Sequence, residues 1–446
     1  MDTTNTLAAR APAAQAPERY YRFKPMNVGR AVIWSLYAAA LIVAPMLFTS
    51  SLALTMLSQV GYAIIICLSY NMLLGQGGML SFGHAVYTGL ATFLAVHAMN
   101  GISGGTLPVP MVLIPLLGGL GGMAFAVLLG FVTTKKAGTP FAMITLGIGE
   151  LVFAMSLMVP EFFGGEAGVS ANRMVRDPLI PGVTFGPSIQ VYYLLAVYTF
   201  LATAGMYAFT RTPLGRMLNA VRDNPERVEF IGYSTQRVRY ISFMIAGFFA
   251  GVAGGMYAMN FEIATAEVVG AVRSGGYLLF TFLGGATFFF GPIIGGVLMV
   301  LATVLLSEFT NAWLLYLGLV FTLMVMYAPG GIASLLMMNL RVALFGKLRP
   351  LLGWYLALAG TGAVALGGAA AAIEMIYHLQ MNKALGPQLE FMGATLDASK
   401  LQAWLGAALV LLVGAVLFEL TRRRFVRQWG QVQGEIEQEI RRKEAQ

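Results

Sequence analysis

Long apolar runs alternate with short polar breaks along this chain, and the length of the runs sets its class. Continuous apolar stretches fall near residues 31–48, 52–74, 79–98, 111–132, 141–159 and 191–209. More follow near 240–259, 278–290, 292–307, 314–328, 351–376 and 401–420. Most reach the roughly 17 to 25 residues with which a helix crosses a bilayer, and none shows the strict alternation, in segments of about ten, of a barrel strand. The pattern predicts an all-α polytopic integral membrane protein of twelve membrane segments. Segments 278–290 and 292–307 form a hairpin that enters and leaves on one side.

The most charged break is residues 211–239, RTPLGRMLNAVRDNPERVEFIGYSTQRVR, with nine of the chain's 48 Asp, Glu, Lys and Arg residues. It reads as helix, break, helix. Residues 214–222 form the first helix, Asn224 is an N-cap ahead of Pro225 at the first helical position, and Gly232 supplies a stop. Such a loop is either a solvated connection or a contact surface.

Composition agrees with the membrane reading: 58% of residues are hydrophobic and 11% charged, with a mean hydropathy of +0.74, which excludes a soluble domain. With the N-terminus placed in the cytoplasm, 23 of the 28 basic residues fall on cytoplasmic segments and both termini are cytoplasmic. Arg173, Arg176, Arg273, Lys383 and Lys400 are the exceptions. The net charge of +8 is thus mainly a topology signal and implies no nucleic acid. Residues 1–30 read as a disordered cytoplasmic arm, and the apolar run after it is long for a signal-peptide core and is expected to be a retained helix. The single cysteine, Cys67, permits no internal disulfide.

No catalytic constellation is visible. His84, His97 and His378 are scattered, no Cys or His pair has metal-ligand spacing, and Gly346-Lys347 lacks the upstream phosphate loop. The chain is expected to be non-catalytic and to bind no metal or cofactor, so energy must come from an ion gradient or a partner. Two Gly-rich elements interrupt the helices: NMLLGQGGMLSFGH, with Asn71, Gly75, Gly77, Gly78, Ser81, Gly83 and His84, and GGATFFFGPIIGG, with Gly284, Gly285, Gly291 and Pro292. They are either helix breaks along a path or tight turns with small-residue packing. Glu150 lies mid-span, where an unpaired acid facing lipid costs roughly 2.5 to 3.5 kcal/mol. It is expected to face the bundle interior, as hydrogen-bonded glue, as the lining of a water-filled path or as a proton sensor.

Five segments in order resemble the branched-chain amino acid permease family of ABC importers, closest to its LivM-type subunit. They are NMLLGQGGMLSFGHAVYTGLATF, FAMITLGIGEL, TPLGRMLNAVRDNPERVEFIGYSTQRVRYISFMIAGFFAGVAGGMYA, LGGATFFFGPIIGG and MYAPGGIASLL. The resemblance implies an importer permease fold of about ten core membrane segments over residues 31–340. An extra C-terminal pair would span 341–420 and a basic cytoplasmic tail helix 421–446, with Arg422 to Arg424 at the lipid surface. It implies two ATPase subunits that use ATP and Mg, a second permease in a heterodimer, a periplasmic or extracellular substrate-binding protein, and residence in a bacterial inner membrane.

In that family the 211–239 loop docks on an ATPase, which assigns coupling to Leu214, Gly215, Arg216, Leu218, Val221, Arg222, Asn224, Glu226 and Gly232. Leu214, Met217, Leu218 and Val221 are spaced for one apolar side that can wedge into a partner's groove, with Arg216, Arg222 and Arg227 elsewhere. Glu226 and Gly232 keep the six-residue spacing of the wider importer loop, although Arg227-Val228 replaces its two alanines. The outer loop FFGGEAGVSANR departs from the LivM-type pattern, which leaves urea or short amides open beside branched-chain or related amino acids. A secondary transporter or channel using Glu150 is the reading from another class.

Overall fold

Short caps and small residues decide where the apolar runs become helices in the computed structural model, which describes residues 28–174, 182–381, 386–391 and 394–444. The N-terminal arm to residue 27, Arg176 and Lys383 lie outside the described residues. Helix α1 is Val28–Leu47, and α2, Ser51–Asn71, opens on Ser50, whose hydroxyl accepts from the Ala53 N–H at 3.2 Å. A π turn, Met72–Gln76, extends α2. Helix α3 is His84–Ser103, and α4, Ile114–Thr133, and α5, Thr139–Met158, each carry Pro in the first turn. The short α6, Pro160–Phe163, leads to strand β1, Val169–Ser170.

Helix α7, Ser188–Arg211, runs into α8, Pro213–Asp223, α9, Pro225–Phe230, and the long α10, Thr235–Phe261. Strand β2, Ile263–Ala264, pairs antiparallel with β1. Then come α11, Ala271–Gly284, and α12, Gly291–Val300, followed by a π segment, Leu301–Leu306, and the short α13, Ser307–Phe309. Helices α14, Trp313–Tyr327, and α15, Gly331–Leu344, meet at a 50° bend. Helix α16, Arg349–Met381, and α17, Leu401–Glu444, flank a hairpin of β3, Gln388–Phe391, and β4, Ala394–Asp397.

Among the described residues ten helices are long and apolar enough to cross a membrane, and the α14–α15 pair is an eleventh candidate. Helix α11 has 14 residues, about 21 Å of rise against a hydrocarbon core of about 30 Å, and is half-length. It forms the predicted hairpin with α12, but starts at Ala271 rather than near 278, because Arg273, Ser274, Gly275 and Gly276 hide its first turns from a hydropathy reading. Helix α3 likewise starts at His84 rather than near 79. Residues 79–83 are apolar yet non-helical, since Gly78 takes a left-handed conformation (φ +62°) that ends the preceding turn. Helix α15 was not expected at all.

The bundle has two ends, one carrying α8 and α9 and the other carrying β1 and β2. Its centre is held by glycine: a Cβ on Gly118 would lie 2.6 Å from the Gly251 carbonyl, and one on Gly122 2.5 Å from the Gly247 carbonyl, so α4 and α10 meet backbone to backbone. At the β end the Arg173 guanidinium donates to the Met259 and Asn260 carbonyls at 3.1 and 3.2 Å, closing α10. Beyond the core, Glu374 of α16 accepts from the Tyr316 hydroxyl at 3.0 Å and from Thr310. Buried Val342, Leu351, Val432 and Ile436 gather α15, α16 and α17.

Candidate coupling element and membrane cleft

Local chemistry builds α8 and α9 as their sequence predicts. The Thr212 hydroxyl accepts from the Gly215 N–H at 3.1 Å and opens α8, and Asn224 Oδ1 accepts from the Arg227 N–H at 2.9 Å and opens α9. Gly232 ends the unit at φ +91°. Leu218 and Val221 are 0% and 2% exposed, with Gly215 buried beside them and Leu214 half-buried, whereas Arg216, Asn224 and Glu226 are exposed.

The apolar side of α8 therefore packs inward on this chain's own bundle, against α7, α10 and the 72–78 segment, and is not offered to a partner. Helical spacing shows that one side is apolar; the exposed end of the bundle, itself apolar, is what claims it. The outward face carries other residues, Phe230, Ile231 and Tyr233, 87%, 63% and 52% exposed. The signal for them was the clustering of three bulky apolar residues around the Gly232 stop.

The first Gly-rich break lies directly behind α8. The Arg222 guanidinium donates to the Gly75 carbonyl and pairs with Asp223 at 2.9 Å, and a Cβ on Gly77 would lie 3.3 Å from a methyl of Leu218. On its other side Gly75 abuts Asn71 and the Ala286 carbonyl, so the two Gly-rich breaks touch. In the second break Gly284 packs against Gly291, while Gly285, at φ +113°, leaves 2.6 Å between a would-be Cβ and the Gly330 carbonyl. Pro292 sits in the first turn of α12.

From Gly78 the chain returns to the middle of the bundle. His84 is level with Ala246, eleven residues into α10, about 16 Å from its start. Ser69 spends its one proton on the Ala246 carbonyl at 2.7 Å, so His84 Nε2, 3.0 Å away, must donate to the Ser69 oxygen. His84 is 1% exposed, and its Nδ1, with Asn71 Oδ1 and Ser81 Oγ, is buried without a hydrogen-bond partner among the described residues. The Phe82 N–H donates to Thr145 Oγ1 of α5 at 3.1 Å, Gly83 abuts the Thr145 carbonyl, and the Ala85 N–H donates to Ser274 Oγ of α11 at 3.0 Å. Segment 82–85 thus holds both α5 and α11.

Those two helices wall a cleft of about 430 Å³ lined by Glu150, Phe153, Glu267, Gly270, Ala271, Val272 and Arg273. Glu150 is exposed there rather than turned into the bundle. Helix α5 packs through Phe141, Ala142, Thr145, Gly149, Val152 and Ser156, and Glu150 lies one residue off that stripe. The Arg273 guanidinium is 5.7 Å from the Tyr257 ring centre, among Tyr62, Tyr277 and Glu267. Glu267 and Arg273 escaped the sequence reading because the fold alone brings them to Glu150.

Residues 52–329 match the family described as "Branched-chain amino acid transport system / permease component". The chain belongs to that family. It is 29% identical over 292 residues to the high-affinity branched-chain amino acid transport system permease protein LivM of Salmonella typhimurium, covering 60% of this chain and 67% of that protein. LivM of Escherichia coli is 28% identical with the same coverage. The guanosine ABC transporter permease protein NupQ of Bacillus subtilis is 26% identical over 128 residues, 26% of this chain and 39% of that protein. No solved structure matches the chain. As a permease-family member it is a multi-pass membrane protein, and α8, both breaks and the cleft all fall inside the matched residues, whereas α16 and α17 fall outside.

Proposed function

We propose that the chain is the permease subunit of an ATP-binding-cassette importer for branched-chain or related amino acids, moving substrate by alternating access. One of two ATPase subunits docks on the α8–α9 end, a second permease carries the other ATPase and completes the path, and a substrate-binding protein delivers cargo to the β1–β2 end. The chain itself binds no cofactor and hydrolyses no ATP; Mg and ATP are used by the ATPases. The α8–α9 end and both termini face the cytoplasm of a bacterial inner membrane.

The observation that carries this reading is the unbroken line of contacts from the exposed loop to the cleft. A push on Phe230, Ile231 and Tyr233 reaches α8. Arg222 and Leu218 pass it to Gly75 and Gly77, and residues 82–85 pass it to the walls of the cleft at Thr145 and Ser274. Broken helices with polar groups left unpaired among the described residues are elements that can rearrange at small cost. An amino-acid cargo is favoured by the LivM relatives, which are 29% and 28% identical over 292 residues against 26% over 128 residues for the guanosine permease.

Phe230→Asp tests the docking. The ATPases should be lost from the complex purified in mild detergent while the permease melts at its usual temperature; full ATPase recovery would refute the docking face.

A further inference from the structure

Three ionisable side chains line one cleft about midway along α5, on a face open to the outside of the single chain: Glu150, Glu267 and Arg273. Charges at that depth cannot be left to lipid, so the face is covered by water or by protein, and a cleft carrying both signs suits a ligand carrying both. Gly270 gives α11 no side-chain cap, so the first N–H groups of this half-length helix add positive character at the Arg273 end. Glu150 and Glu267 supply the opposite sign. Phe153 and Val272 provide apolar lining, with Val272 85% exposed.

We infer that this cleft is a recognition site within the permease for a zwitterion: Arg273 takes the α-carboxylate, Glu267 and Glu150 take the α-ammonium, and the apolar side chain lies toward Phe153 and Val272. The site rests on the importer reading and deepens it, because it makes the permease, and not only a binding protein, select its cargo. A neutral urea, sugar or nucleoside would gain no charge-charge pairing from Glu150, Glu267 or Arg273 in return for displacing the water around them, which is a ground for rejection. The open side of the cleft is completed by the second permease.

The test uses the whole importer, purified by a tag on this chain and reconstituted in liposomes with its binding protein, with labelled L-leucine as the probe and urea and guanosine as neutral controls. Glu267→Gln and Arg273→Gln are each expected to lower leucine uptake about tenfold or more, the weight of one charge-assisted hydrogen bond. The ATPases should co-purify in full, and Arg273→Lys should restore part of the uptake. Leucine uptake at the wild-type rate in both Gln variants overturns the site, as does a wild-type complex that moves urea or guanosine in place of leucine. Loss of the ATPases together with uptake would make these residues structural and also overturn it. A wild-type preparation without any ATPase sinks the importer reading itself and this inference with it, whereas the other adverse results leave the importer standing.

Discussion

Leu218 and Phe230 lie in the same charged break in opposite surroundings, and the difference can be measured. Leu218 is 0% exposed against the bundle, and Leu218→Ala should lower stability by about 2 to 5 kcal/mol, read as a thermal shift in detergent. Phe230→Ala should leave that melting point unchanged and weaken ATPase recovery, because an 87% exposed ring has no packing to lose. At Gly285 the constraint is backbone: φ is +113° and the Gly330 carbonyl occupies the space a Cβ would need. Gly285→Ala should destabilise by at least about 1 to 3 kcal/mol, seen as lower yield of folded protein and an earlier melt.

Among the elements, α8 is attached to the bundle by an apolar side and by one charged tether. Arg222→Met removes the hydrogen bond to Gly75 but keeps an unbranched apolar stem to pack on Gly78. The expected outcome is an uncoupled importer that binds and runs its ATPases while substrate moved per ATP falls several-fold, measured in liposomes. An unchanged ratio would remove Arg222 from the relay. The cap of α9 and the stop of the unit were legible, because Asn224 and Gly232 act on their nearest backbone neighbours; the Thr212 cap of α8, equally local, was not read. The starts of α3 and α11 were not: a largely buried non-helical segment such as 79–83 and a half-length helix with Arg273 in its first turn defeat any reading that equates apolar with helical.

Over the whole molecule, the family match covers 52–329, and the C-terminal pair is added to that body through Glu374 and the buried group around Val342. Removing residues 349–446 should lower stability, since Tyr316 and Thr310 lose their acceptor. It should still leave ATPase recovery intact, because the proposed docking face and the cleft lie in the retained part. Loss of the ATPases on truncation would show that α17 takes part in docking.

By itself the sequence determined the membrane class, nearly every span, the cap of α9 with the Gly232 stop, and the family, because each is written in local pattern: apolar length, short-range side-chain capping and ordered motifs. Only the tertiary structure decided that Leu218 and Val221 face inward, that Phe230, Ile231 and Tyr233 face outward, and that Glu150 meets Glu267 and Arg273 in one cleft. A helical repeat tells that a helix has two faces, but which neighbour covers each is a property of the packed bundle.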